Sequence, residues 1–545
     1  MIENPILKGF NPDPSILRVN DDYYIATSTF EWFPGIQIHH SKDLKHWCLL
    51  THALTKKSQL DLTGIAPSKG VWAPCITYNE QEKLFYLTFS MVKHIANNFF
   101  DVDNYMVTSR DIMGPWSELI YLNSSGFDPS IFHDDDGSKW ITNLEWDFRK
   151  GYEHPGAIVI QEYSSSEKKL VGTPHRIYRG GTELGCVEGP NIYKYNNYYY
   201  IMAAEGGTGY GHAVTVSRAS SIFGPYEADP RNPIITSTHI KFNERGDPNC
   251  WKPHLYNPNS YLQKSGHGSL VQTQTGEWYI THLCARPIMP EKRCMLGRET
   301  AIQKVVWTED GWIRLAAGGN LAQRYTLEPN IPQAPIEKEA YRDDFEADEL
   351  NVNFSSLRIP FDESWISLKA RKGYLRMRGQ ESLFSLFKQS IAARRFQAFE
   401  FRAETCLEFE PENFQQMAGL VCIYDNMNHY YLRVYYSESL HSKCIGIMTA
   451  DNGERDELLD CRVPINNSER IYLRVTININ KLQFYYSADG VVWNDIGPVF
   501  DSSKLSDEYC KYGEFTGPFV GICVQDLSRR EKYADFDYFE YVENN

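Results

Sequence analysis

Three carboxylates stand in constrained backbone contexts: Asp13 between two prolines in GFNPDPSIL, Asp128 in the echo GFDPSIF, and Glu188 ahead of Gly-Pro in VEGPNIY. Proline fixes φ and restricts the residue before it, so the backbone aims each side chain. Brought together, carboxylates repel one another, and one is driven toward its protonated form while another stays ionised. Hydrolysis of a glycosidic bond needs that division: a proton donor at the leaving oxygen and a base or nucleophile on the other side of the sugar. An isolated Asp or Glu is a solvated surface charge, so the chemistry depends on a fold that makes these three converge.

Other residues suit the same task. Phe30 and Trp32 in STFEWFPG and Trp72 in VWAP offer faces for stacking on sugar rings. Arg298 in LGRETAIQK can donate paired hydrogen bonds to hydroxyls or to a carboxylate. His267 could bind a cation or hydrogen-bond the acid's surroundings, and one histidine without partner ligands is a weak metal candidate.

The elements that must position these residues form a degenerate repeat. DPSIL (13–17), APCIT (73–77), DPSIF (128–132), GPNIY (189–193) and HGSLV (267–271) align, each followed by an aromatic-rich strand such as DDYYIATS, KLFYLTFS or NYYYIMAA. Turn residues between the halves, such as Asp134-Asp135-Asp136-Gly137, make each pair a β-hairpin. Later strands complete four per unit, and the units recur about 54 to 79 residues apart, which suits propeller blades with loop insertions. A five-bladed β-propeller over residues 1–324 follows. The innermost strand of every blade lines the axis, so Asp13, Trp72, Asp128, Glu188 and His267 are expected at one end of one channel.

A Pro- and Glu-bearing connector, 325–340, leads to a second texture. Segments such as QMAGLVCIYD, YYLRVYYS and PFVGICVQD alternate with period two, predicting an antiparallel β-sandwich over 341–545. It shows no catalytic constellation and is expected to brace the propeller, bind carbohydrate or wall the site.

At these residues the sequence resembles glycoside hydrolase family 43, specifically its two-domain β-xylosidases, which often also release α-L-arabinofuranose. The resemblance spans the chain and rests on GFNPDPSIL, YYIATSTFEWFPGIQIHHSKDLKHW, GFDPSIFHDDDG, VEGPNIYK, GHGSLVQTQTGEWYITHL, LGRETAIQK, FQQMAGLVCIYD and FTGPFVGICVQD. It implies an all-β protein, a five-bladed propeller followed by a concanavalin-like sandwich, hydrolysing with inversion. It makes Asp13 the general base, Glu188 the general acid and Asp128 the residue that tunes the acid. Arg298 would bind the terminal sugar, Trp72 and Phe30 would shape its pocket, and Phe515 in GEFTGPF would close it. Two positions depart from the family pattern: Cys75 where WAPD is common, and Asn191 where a histidine usually follows EGP. The stretch from Thr238 to Ser269 is also longer than the family leads one to expect.

The expected activity is exo-acting release of D-xylose from non-reducing ends of β-1,4-xylooligosaccharides, with α-L-arabinofuranosidase as side or principal activity. A non-catalytic carbohydrate-binding propeller is the rival. No cofactor is expected for the chemistry, with a divalent cation such as calcium near His267 as an open addition. A formal charge of −15 disfavours nucleic acid or an anionic membrane as partner. No basic n-region, apolar h-region or membrane-length apolar stretch is present, so a cytoplasmic protein is expected. A homo-oligomer is expected as well. Twelve scattered cysteines without CxxC spacing are expected to be reduced thiols.

Overall fold

Short strands of β-branched and aromatic residues, cut by Gly, Asn and Asp turns, pair locally into hairpins before anything distant is needed. The computed structural model describes residues 1–152, 156–242, 251–337, 341–465 and 468–544, and these hold no α-helix. Five antiparallel sheets follow one another along the chain in four-strand order. Their innermost strands are Ser15–Val19, Gly70–Asn79, Ser130–His133, Glu188–Tyr195 and Gln263–Gln272. Each touches the next and the last touches the first, so the ring is closed. Polar bonds stitch neighbouring blades: Ile76 N donates to Ser15 Oγ at 3.0 Å, and Ile16 N to Ser269 Oγ at 3.1 Å. The fourth blade departs from the four-strand pattern, since Ile235–Thr236 adds a fifth strand against Ala213–Ala219.

Ile2–Glu3 pairs antiparallel with Tyr325–Thr326, joining the two ends of the propeller sequence just past position 324. The connector then lies on the propeller, where Asn330 N donates to Glu277 Oε2 and Ala334 N to Asp43 Oδ2. Beyond it, two antiparallel sheets of eight and seven strands pack face to face. Their facing side chains, among them Phe401, Leu420, Leu432, Leu473, Ile522 and Phe536, form the sandwich core.

The two domains share a third apolar core. Trp32, from the first blade, stacks on Phe519 of the sandwich with centroids 3.6 Å apart, both fully buried. Trp32–Phe33 also pairs as a strand with Ser356–Leu357. Gly9, at φ 75°, is required here, because a Cβ would come within 2.2 Å of the Phe396 carbonyl oxygen. Burying an aromatic side chain of this size is worth about 3–5 kcal/mol against alanine, which makes the sandwich part of the propeller's stability. Glu31 is buried in the same seam; it accepts from Ser68 N at 3.0 Å, and burial pushes its carboxyl up to about 7 against the pull of Arg358.

Nine of the described cysteines, all but Cys48 and Cys186, are free thiols, and Cys250 lies outside the described residues. Part of the long stretch before His267, residues 243–250, also lies outside them. Among the described residues no helix is long and apolar enough to cross a membrane.

Candidate active site

The five aligned positions share one backbone device. Asp13, Ala73, Asp128, Gly189 and His267 all have positive φ, between 41° and 58°. A left-handed residue turns the chain sharply, just before the innermost strand at Asp13 and Asp128 and as an irregularity within it at Ala73, Gly189 and His267, and outside glycine it costs on the order of 1–2 kcal/mol. Such strain persists where surrounding structure imposes it, and here it turns each blade's leading residue to one end of the axis. Trp72 stands one residue before the turn of its blade and Glu188 one before Gly189, so both reach the same space.

That space is a cavity of about 610 Å3 lined by Asp13, Phe30, Trp72, Asp128, Glu188, His267, Arg298 and Phe515, among others. Eight of the residues singled out in the sequence therefore meet; Trp32 does not join them, because its ring is fully buried against Phe519 between the domains and offers no face to a sugar. The rings form a continuous wall: Phe30 to Trp72 at 5.7 Å, Trp72 to Phe127 at 5.9 Å, and Trp72 edge-on to Phe515 at 6.2 Å. Trp72 is held in place by its indole N–H, which donates to Ser68 O at 3.0 Å.

Asp13 Oδ2 accepts from Ser28 Oγ at 2.7 Å, and Ser28 Oγ accepts in turn from Ala73 N. Its Oδ1 lies 3.8 Å from His267 Nδ1. Asp128 is buried, and its Oδ2 accepts from Gly189 N at 2.9 Å, which ties it to the peptide that carries Glu188. Burial is the main cause that lifts the Asp128 carboxyl to about 7, with Glu188 and Asp13 adding repulsion and His267 opposing it. Near neutral pH the cluster therefore holds a proton that its members compete for.

Arg298 is 3% exposed and carries its guanidinium over the Phe515 ring at 4.4 Å, with Nη2 donating to Thr208 O at 3.3 Å. Its counter-ion comes from the sandwich: Asp507 Oδ2 lies 3.7 Å from Arg298 Nε. Asp507 is fixed by Tyr424 OH and by Thr516 N, and burial lifts its carboxyl to about 6 against Lys264 and Arg298. The adjacent Glu508 takes the buried Lys264 and accepts from Cys294 N at 2.8 Å. Gly297, at φ 71°, lets the two domains touch beside Arg298, since a Cβ would meet Thr516 O at 2.3 Å.

Asp507, Glu508 and His212 were not singled out from the sequence. His212 is buried, and its Nδ1–H donates to Lys264 O at 3.2 Å, leaving Nε2 as an acceptor without a protein partner on the cavity wall. Burial and the Arg298 charge hold the ring neutral. The proximity of SDEYC to GEFTGPF is the one signal that could have drawn attention to Asp507.

The narrow part of the channel beside His267 holds Cys75 and Asn191, the two departures from the family pattern; Cys75 Sγ donates to Asn191 Oδ1 at 3.6 Å. Calcium takes six to eight hard oxygen ligands. A thiol and an amide bonded to each other do not fit that ion, and among the described residues no group of three His, Cys, Asp or Glu is placed to hold a metal.

Opposed carboxylates beside a tryptophan-walled pocket define an acid–base hydrolase of sugars. The family model for glycosyl hydrolases family 43 matches residues 2–313, and that for the beta xylosidase C-terminal concanavalin A-like domain matches 342–542. The chain belongs to glycosyl hydrolases family 43. It is 46% identical to a beta-xylosidase of Bacillus subtilis over 99% of both chains. It is 44% identical to a xylan 1,3-beta-xylosidase of a Vibrio species, covering 100% of this chain and 99% of the relative. The crystal structure of a xylan beta-1,4-xylosidase from Bacillus halodurans superposes with a TM-score of 0.94 at 51% identity, covering 100% of each chain.

Proposed function

We propose that the protein is an exo-acting, inverting β-xylosidase that removes D-xylose from the non-reducing ends of short β-1,4-xylooligosaccharides. The observation that carries this reading is the wall supplied by the sandwich: Asp507 and the residues from Cys510 to Phe515 line the same cavity as the propeller's carboxylates. A pocket walled this way suits one terminal sugar better than the middle of a polymer.

In this mechanism Asp13 takes a proton from the attacking water as its oxygen bonds to the anomeric carbon. Glu188 gives its proton to the leaving oxygen, the glycosidic C–O bond breaks, and both carboxyls return to their starting states by exchange with solvent. Inversion requires room for the water, so acid and base should stand about 6.5–9.5 Å apart in the complex. Asp128, bonded to Gly189 N, shares the cluster's proton with the neighbouring Glu188 and, when ionised, opposes the ionisation of that acid by like charge. Arg298 binds hydroxyls, and Trp72, Phe30 and Phe515 enclose the ring. No step uses a metal.

Product analysis on xylohexaose and long xylan tests the proposal: xylose alone is expected at early times, and internal fragments would overturn the exo assignment. Asp13→Ala is expected to lower kcat by about 10²–10⁴-fold; an unchanged rate would favour a binding propeller. The linkage is checked by comparing β-1,4- with β-1,3-xylobiose. The second reading, α-L-arabinofuranosidase, rests on the similar hydroxyl placement of arabinofuranose and xylopyranose, and kcat/KM on the paired aryl glycosides decides it. A homo-oligomer in the cytoplasm belongs to the same reading, and light scattering and cell fractionation address it.

A further inference from the structure

The cavity that holds the carboxylates is also lined by two charged groups for which the hydrolysis described above has no use, Lys69 and Glu514. Exposure along its wall falls from Lys511 and Tyr512, which are exposed, through Lys69 and Glu514, half-buried, to Arg298 and Asp128, buried. The terminal sugar of an exo-acting enzyme occupies the buried end with Arg298. The departing sugar then lies on the side toward solvent, where Lys69 and Glu514 stand.

Both residues are fixed where the two domains meet. Lys69 belongs to the propeller turn that leads to Trp72, and Glu514 to the sandwich loop that leads to Phe515. Glu514 N donates to Ser68 Oγ at 2.5 Å, Lys69 N donates to Ala66 O at 3.2 Å, and the Ser68 carbonyl receives the Trp72 indole N–H. These bonds set the two backbones beside the rings that enclose the sugar. The Lys69 ammonium stands 5.9 Å from the centre of the Trp72 ring.

Among the described residues neither the Lys69 ammonium nor the Glu514 carboxylate has an ion-pair or side-chain hydrogen-bond partner, yet each is the foremost charge the other feels. Burial opposes the charged form of both, and the opposite charge across the seam favours it. Their next nearest charges are engaged elsewhere: Glu31 is enclosed in the seam with Ser68, and Arg298 faces Asp507. Opposite charges that face one cavity without joining suit a neutral ligand rich in hydroxyls. The ammonium donates to one hydroxyl oxygen and the carboxylate accepts the O–H of its neighbour. An anion or a cation would be attracted by one of the pair and repelled by the other.

We propose that Lys69 and Glu514 are specificity-determining residues that bind adjacent hydroxyls of the leaving-group sugar. This rests on the β-xylosidase reading above and adds which side chains recognise the departing xylose. One partner comes from each domain, so that sugar is read across the seam.

The test compares xylobiose with 4-nitrophenyl β-D-xyloside in the full-length protein and in its Lys69→Met and Glu514→Gln variants. Both substrates carry the same terminal xylose, and only xylobiose has hydroxyls on its leaving group. The ratio of kcat/KM on xylobiose to that on the aryl xyloside is expected to fall about tenfold in each variant, with the loss appearing in KM for xylobiose. Lys69→Arg, which keeps the donor and its charge, is expected to recover most of the ratio. Equal losses on both substrates would assign the pair to the terminal sugar or to the pocket's folding, and an unchanged ratio at full activity would leave two solvated charges; either result overturns the proposal. Both differ from failure of the unmodified protein to cleave xylobiose, which would overturn the β-xylosidase reading and this proposal with it.

Discussion

Asp128 makes a single resolved side-chain contact with a backbone donor, Gly189 N, yet its carboxyl sits at about 7 because burial and two neighbouring carboxylates oppose ionisation. When ionised, Asp128 repels the charge of the acid beside it, and removing that repulsion lowers the acid's pKa. Asp128→Asn is therefore expected to move the upper limb of the kcat/KM–pH profile to lower pH, with a reduced plateau, as measured on xylobiose. Glu188→Gln probes the proton donor through the leaving group. Activity on xylobiose should fall by about 10²–10⁴-fold, whereas an aryl xyloside with an acidic phenol, which leaves without protonation, should lose far less. An equal loss on both substrates would remove Glu188 from the acid role.

At the scale of elements, the seam between first blade and sandwich carries a pH signature. Glu31 has a carboxyl near 7 in the fold against 4.5 as its ordinary value, so the folded protein binds its proton more tightly than the unfolded chain. The stability this gives is fully present below about 4.5 and is lost as pH rises through 7, amounting to on the order of 3 kcal/mol. Glu31→Gln keeps the acceptor for Ser68 N and cannot ionise. Its Tm should fall less than that of the unmodified protein between pH 5 and 8, and parallel curves would refute the assignment. The blades were legible in the sequence because each hairpin is local and each innermost strand carries the same left-handed turn just before or within its first half. Asp13, Asp128 and Glu188 were legible because they occupy that turn or the residue before it. The pairing of Trp32–Phe33 with Ser356–Leu357 was not, since a two-residue strand meeting a partner in another domain leaves no periodic trace. Asp507 and His212 escaped for the same reason: their partners, Arg298 and the Lys264 carbonyl, lie far along the chain and set no spacing rule.

At the scale of the whole molecule, the sandwich supplies the counter-ion of Arg298, the arginine proposed to bind the sugar. Asp507→Asn would leave the Arg298 guanidinium with a neutral partner in a buried site and free it to shift from the Thr208 carbonyl. The expected outcome is a rise in KM of about tenfold, or about 1.4 kcal/mol, with a smaller change in kcat. Unchanged KM would make the sandwich a wall and nothing more. The charge network also explains why Glu508 and Lys264 are buried together one residue from Asp507: they hold the loop that carries Phe515 against the propeller.

Phe515 and Asp13 meet in one pocket although they lie far apart along the sequence. On the ribosome, where roughly 5–20 residues are added per second and domains fold as they emerge, the propeller can close its ring once Tyr325–Thr326 has met Ile2–Glu3. The pocket still lacks Phe515 and the partner of Arg298 until the segment from Asp507 to Phe515 has emerged. A chain stopped short of that segment would thus present its carboxylates to solvent without the sandwich's share of the pocket wall.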